Sequence, residues 1–249
     1  MGTRRTRRFW LYWALALAVT AVWTISASPV QTSQPVGGAA HGSYVALTFD
    51  DGPWPGTTNT LLDGLAQRGL KATFFLVGEQ VADRAETVRR MADEGHQIGL
   101  HTWHHVSLKG MTPDQITSQL DQTRAAIREI VGPVDLMLRP PYGFVDDTLR
   151  QWAKAPIICW SLDTEDWKDP TPSRITADIL RQVKDGDIIL MHDIFETSVT
   201  AALAAVDQLL AQGYRLVTVE ELFAQRGQDP QPGAVYCSLP PAQKEEVEP

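Results

Sequence analysis

The strongest constraint on this chain is a repeating alternation of short apolar runs with longer amphipathic stretches. The apolar runs fall at residues 44–49, 72–76, 97–100, 136–138, 156–161, 187–191 and 215–218. Each has the length of a strand, and most of the intervals between them carry apolar residues at helical spacing. The interval 113–131 is the clearest. Thr112 suits a cap, Pro113 suits a first helical turn, and Ile116, Leu120, Ile127 and Ile130 form one apolar stripe. Intervals 176–183 and 200–210 read the same way. Strands that succeed one another through a helix pair in parallel, with the helices outside the sheet. Seven such units predict an α/β fold: a single-domain, distorted (β/α)7-type barrel with parallel strands. An open doubly wound sheet is the other arrangement this alternation permits.

Residues 1–28 read as an address. Arg4, Arg5, Arg7 and Arg8 precede an apolar run that continues through two threonines to Ile25. This is the pattern of a signal peptide or an N-terminal membrane anchor. The basic end stays inside and the rest of the chain is exported. The chain is therefore expected to be extracytoplasmic, secreted or anchored, with membrane contact only through this segment. Residues 29–42 are small, polar and Gly/Pro-containing, and read as a linker. The folded domain is expected over 43–226, with a Pro-rich acidic tail over 227–249 that hugs the surface or stays disordered. The net charge of −8 becomes −12 once the four N-terminal arginines are set aside. Such a surface repels nucleic acid, so no nucleic-acid partner is expected. Two cysteines, Cys159 and Cys237, allow one bridge at most, and the sequence does not say whether it forms.

In parallel α/β architectures ligands bind at the carboxyl ends of the strands. Five of the apolar runs end there in polar clusters. The first ends in Thr48-Phe49-Asp50-Asp51-Gly52, where two adjacent carboxylates leave an apolar strand and call for a cation. The third leads into His101-Thr102-Trp103-His104-His105. A His-x3-His spacing sets two imidazoles on one face if the segment turns helically, and two imidazoles with a carboxylate make an open metal triad. His104 lies between the pair and is left out; His41 and His96 read as ordinary surface residues. The fourth ends in Arg139-Pro140-Pro141-Tyr142, an arginine suited to clamp a carboxylate and a double proline that fixes the backbone beyond it. The fifth gives Asp163-Thr164-Glu165-Asp166-Trp167 and the sixth Leu190-Met191-His192-Asp193. His192 is either a core histidine or a general acid working near neutral pH.

In order, TFDDG, His-Thr-x-x-His, Arg-x-Pro-Tyr, Asp-x-x-Asp-Trp and Leu-x-His resemble the five motifs of the polysaccharide deacetylases, the NodB-homology group also called carbohydrate esterase family 4. The resemblance covers roughly residues 43–225, with Lys71-Ala72-Thr73-Phe74-Phe75 and Gly95-His96 also similar, and no motif position departs from the pattern. It implies a barrel of fewer than eight units. It also implies one divalent metal ion held by Asp51, His101 and His105, with zinc first and cobalt, manganese or nickel also suited. Asp50 would be the general base, held by Arg139. The backbone N–H of Tyr142 would meet the oxyanion. His192 would be the acid, paired with Asp166. Trp167 and Leu190 would wall the acetyl pocket. Trp54 and Trp103, beside these motifs, are placed to stack on sugar rings.

The expected function is metal-dependent hydrolysis of N-acetyl groups on amino sugars of a cell-envelope or extracellular polysaccharide: peptidoglycan, a chitin-like polymer or an exopolysaccharide. A deacylase of a lipid-linked sugar and an O-acetyl xylan esterase are alternatives within the same chemistry. A non-haem iron oxygenase would share the triad but would need oxygen and a keto acid. A non-catalytic metal-containing glycan-binding module would need neither Asp50 nor His192.

Overall fold

The computed structural model describes residues 42–241. The basic and apolar address segment, nearly all of the linker, His41 and the end of the acidic tail lie outside the described residues. Among the described residues, no helix is long and apolar enough to cross a membrane.

The chain runs β1 (Tyr44–Asp50), α1 (Pro55–Ala66), β2 (Thr73–Leu76), α2 (Gly78–Asp83), α3 (Ala85–Asp93) and β3 (Gln97–Leu100). After α4 (Pro113–Val131) comes a 3-10 turn at Pro141–Gly143, then α5 (Asp147–Trp152), β4 (Ile157–Ile158) and β5 (Leu162–Asp163). The last part is α6 (Pro172–Gln182), β6 (Ile188–His192), α7 (Glu196–Ala211), β7 (Arg215–Val217), α8 (Val219–Gln225) and β8 (Val235–Tyr236). β1 is a near-continuous apolar run buried from Val45 onward, as a strand covered on both faces must be. It pairs in parallel with β2 and β6; β2 pairs with β3 and β6 with β5. Leu138 bridges Leu100 of β3 to Ile157 of β4. β4 and β5 belong to one stretch, so the ring closes. β7 pairs only with the first residues of β1, Tyr44 to Ala46.

The result is the distorted, mostly parallel barrel, and the open sheet is not what forms. Two runs are shorter as strands than as apolar sequence. The run 136–138 contributes one bridging residue, and 156–161 holds only the two residues of β4, with β5 beginning just beyond it at Leu162. α4 has the expected bounds and a capping box in which Thr112 and Gln115 satisfy each other's N–H groups. α6 and α7 begin earlier than the apolar periodicity indicates, at Pro172 and Glu196. His96 is not a surface residue. It is buried edge-on against Phe74 and accepts the Ala72 N–H at 3.1 Å.

The segment from Gly227 to Pro240 is woven into the fold. Ile157 N–H donates to the Ala234 carbonyl and Cys159 N–H to that of Tyr236, at 2.9 and 2.8 Å. Tyr236 meets Phe223 edge-on, Leu239 is buried, and Leu239 N–H donates to the Gly186 carbonyl. The folded body therefore reaches past 226, because β8 covers an edge of β4 that would otherwise face solvent with unpaired backbone. Leu239→Ala should cost about 2–5 kcal/mol in urea unfolding, the range for emptying a buried leucine site; a loss below about 0.5 kcal/mol, the scatter of ordinary surface substitutions, would mean the tail does not hold the core.

Candidate active site

The parallel register does most of the assembly. Asp50 at the end of β1 is the direct Cα partner of His192 at the end of β6, and Asp163 of β5 is the partner of Leu190. His101 comes directly after β3, and Arg139 directly after the bridging Leu138. One cleft of about 420 Å³ opens over these ends and takes in Asp50, Asp51, His101, His105 and His192, with Tyr142, Trp167 and Leu190 on its walls.

Arg139 is fully buried below the cleft. Its Nη1 donates to Asp50 Oδ1 at 2.8 Å and to Thr48 Oγ1 at 2.7 Å; its Nε donates to the Ile158 carbonyl and its Nη2 to that of Cys159. The guanidinium lies 4.2 Å from the centroid of the Phe75 ring. Thr48 donates its own hydroxyl proton to the Ile189 carbonyl at 2.6 Å. A buried arginine is tolerated only with its donors satisfied, and the planar fork meets this requirement as a lysine could not.

His101 Nδ1 lies 2.7 Å from the Arg139 carbonyl, an oxygen that can only accept. The proton therefore sits on Nδ1, and Nε2 presents its lone pair to the cleft. That Nε2 is 3.3 Å from Asp51 Oδ1, and His105 Nε2 is 3.1 Å from the same oxygen. The donor atoms of Asp51, His101 and His105 all lie within 4.8 Å of one another. Asp51 Oδ1 is buried without a properly angled hydrogen bond, which is costly unless something else meets it. Burial raises the Asp51 pKa; with no ion bound, protonated His101 and His105 imidazoles outweigh burial and hold it far below the ordinary carboxylate range. This donor set fits a divalent transition metal. The two histidines are not brought together by a helical turn. The segment is a bend in which Thr102 and His105 take left-handed φ of 62° and 51°, and Asp51 is left-handed at 73°.

On the other side of the cleft, His192 Nδ1 lies 2.7 Å from Asp166 Oδ1, and the His192 backbone N–H donates to Asp166 Oδ2 at 2.8 Å. Burial opposes charge on His192, but the bond to Asp166 and the fields of Asp166, Asp50 and Asp51 prevail and lift its pKa to about 9. Burial likewise opposes charge on Asp166, and the His192 contacts overcome it. His192 Nε2 is 3.9 Å from Asp51 Oδ2. Tyr142 sits in the 3-10 turn with left-handed φ of 63°, its ring exposed and packed against His105.

Two tryptophans lie elsewhere than expected. Trp54 does not line the cleft; its half-exposed ring is covered by the Arg84 guanidinium. The Trp103 ring packs on Gly78 of α2, where no Cβ would fit. Trp160 and Phe195 line the cleft in their place. The motifs also pass over Asp193. Its carboxylate accepts the Thr58 hydroxyl, which accepts the Trp54 N–H, and both carboxylate oxygens lie 2.6 Å from where a Gly52 Cβ would stand. Only glycine permits that approach, so TFDDG needs its last residue. The one signal for Asp193 in the sequence is an acid directly after His192.

Comparison with known proteins identifies the family. Residues 37–156 match the family described as polysaccharide deacetylase. The chain is 42% identical over 178 residues to the peptidoglycan-N-acetylmuramic acid deacetylase PdaC of Bacillus subtilis, covering 72% of this chain and 38% of that protein. The chain thus spans about two fifths of the length of the first curated relatives it matches. Among solved structures, a substrate-bound T48 deacetylase aligns with TM-score 0.75 and 42% identity over 78% of this chain and 96% of that one. A family 4 acetyl xylan esterase from Clostridium thermocellum in complex with a cobalt ion aligns with TM-score 0.76 and 35% identity over 79% and 99%.

In metal-free protein, Arg139→Met should destabilise the fold by about 3–5 kcal/mol because it strands buried Asp50, and adding Asp50→Asn should recover part of the loss; additive losses in urea unfolding would contradict this coupling. Asp193 carries a pH signature. Burial pushes its carboxyl up to about 7, above the unfolded value of 3.8. The folded state then holds more protons between those pH values, so stability falls as pH rises from about 4 to 7 and levels off above. Tm of the chelated protein should drop more steeply across that window than Tm of Asp193→Asn; parallel curves would refute the buried neutral acid.

Proposed function

The chain belongs to the polysaccharide deacetylase family, and we propose that it is a metal-dependent hydrolase that removes N-acetyl groups from amino sugars of an exported glycan, with peptidoglycan the first substrate to test. The observation that carries this reading is one cleft holding a carboxylate clamped by a buried arginine, an Asp/His/His donor set beside it, and a charged His–Asp pair opposite. Binding alone needs neither of the outer pairs.

Asp51, His101 and His105 would hold the ion, with zinc or cobalt suited to the donor set. When bound, a divalent ion polarises the acyl oxygen and makes water more acidic. The remaining work belongs to the chain. Arg139 keeps Asp50 aimed into the cleft, where it takes the proton of the attacking water. The Tyr142 N–H, turned out of regular helix by the left-handed kink, meets the oxyanion. His192, charged through Asp166, gives its proton to the leaving amine as the C–N bond breaks. Trp167 and Leu190 bound the space for the acetyl methyl. Export through the N-terminal segment, by cleavage or anchoring, would bring this chemistry to the cell envelope. Acetylated xylan is the second substrate, since a solved relative is an acetyl xylan esterase.

The test is acetate release by the full chain from peptidoglycan, chitooligosaccharides and acetylated xylan. Chelation should abolish release and zinc or cobalt should restore it. Asp50→Asn should lower kcat by roughly 10²–10⁴-fold while metal content is retained. Release indifferent to both treatments would overturn the mechanism; metal binding with glycan retention but no release would make the chain a binding module.

A further inference from the structure

β4 and β8 run parallel with Ile157 opposite Val235 and Ile158 opposite Tyr236. One step further along the same register, Cys159 stands opposite Cys237, and the Cys159 N–H still donates to the Tyr236 carbonyl at 2.8 Å. Opposed residues of neighbouring strands lie ~4.8 Å apart and project to the same face, which is within the Cα separation a disulfide spans. We propose that Cys159 and Cys237 form a disulfide that fastens the C-terminal strand to β4, directly behind the carbonyls that hold Arg139.

Three further observations support this assignment. These are the only two cysteines among the 249 residues, so no other pairing competes within them. They lie outside the metal-type cluster found among the described residues, Asp51, His101 and His105. The thiols also sense each other. Burial pushes the Cys159 thiol up to about 11, and Cys237 adds to this through its charge and a hydrogen bond.

Cys159 is buried and Cys237 exposed, which sets the order of events. The Cys237 thiolate attacks a disulfide-class oxidant, breaking its S–S bond, forming a mixed disulfide and releasing one thiol. The Cys159 sulfur then attacks Cys237 Sγ and expels the second thiol. Two protons and two electrons leave the cysteines, and the oxidant's disulfide becomes two thiols. The bond closes a loop of ~80 residues, a length at which a cross-link strongly restricts the unfolded chain. It would also tie the tail to the Cys159 carbonyl that receives Arg139 Nη2.

The test uses the reduced full chain treated with oxidised glutathione, then alkylated in denaturant and peptide-mapped without reduction. Expected are a linked peptide pair carrying Cys159 and Cys237 and no alkylated thiol. Reduction should then lower Tm by roughly 5–15 °C, and should leave Cys237→Ser, altered only at an exposed position, unmoved. Two alkylated cysteines, a persistent glutathione adduct on Cys237, or only Cys237-linked dimers would overturn the pairing. A linked pair with unchanged Tm would overturn the fastening role. None of these readouts depends on acetate release.

Discussion

The buried pair between Arg139 and Asp50 is the interaction on which the rest of the site depends. A guanidinium with no exposure, surrounded by apolar strands, persists only because every direction it points holds an acceptor: a carboxylate, a threonine hydroxyl and two main-chain carbonyls. Those acceptors come from β1 and from β4 and the residue after it, and the aromatic face beneath comes from β2. The backbone oxygen of the same arginine then fixes the tautomer of His101. One residue thus ties together Asp50, a metal-type histidine and three strands of the barrel. The coupling explains why these groups occur at successive strand ends rather than within one loop.

Strain is distributed according to the same logic. Left-handed backbone at Asp51, Thr102, His105 and Tyr142 surrounds the cleft, a conformation uncommon outside glycine. Each kink turns the chain soon after it leaves a strand, so that a side chain or an amide faces the cleft instead of continuing the strand's alternation. The barrel bears this cost through burial of β1, β2 and β6. Below Asp51, Gly52 rests on the buried carboxylate of Asp193, and Thr58 links that carboxylate to the backbone of Trp54. The loop carrying Asp51 is therefore supported by the residue next to His192, which joins the two sides of the cleft.

Much of this is legible in the sequence, and the rest is hidden for physical reasons. Apolar runs bounded by breakers mark β1, β2, β3 and β6, and complementary polar groups at their ends mark the cleft. Helix α4 is readable to its bounds because cap and stripe agree. Leu138 reads as part of a strand, yet it pairs through one bridge, since hydropathy reports burial and not ladder length. β8 is invisible because two residues in a Pro-rich acidic stretch carry no periodicity; their partner does the specifying. The acceptors of Arg139 at Ile158 and Cys159 are backbone atoms, which leave no mark on residue identity. Trp54 and Trp103 stand beside the motifs in sequence, but Trp54 lies under the Arg84 guanidinium at the start of α1, and the bend at 102–105 turns the Trp103 ring onto Gly78. His96, polar and loop-flanked, accepts the Ala72 N–H within the core.

The charges of the cleft separate into pairs, and that separation bears on what the remaining groups are for. Asp50 has Arg139, and Asp166 has His192, each at hydrogen-bond distance. Asp51 has no cation of its own, only two imidazoles whose nitrogens converge on one oxygen. A carboxylate in that position would be expensive to bury if its partners were neutral, and the same convergence is what a divalent ion requires of its ligands. The two completed pairs face each other across the cleft, a carboxylate held by a guanidinium on one side and an imidazole held by a carboxylate on the other. Each is bound to its own partner, and the Asp51 group stands near both. The Asp/His/His set therefore stands between two pairs whose charges are already matched, and is the group of the cleft left to meet a cation.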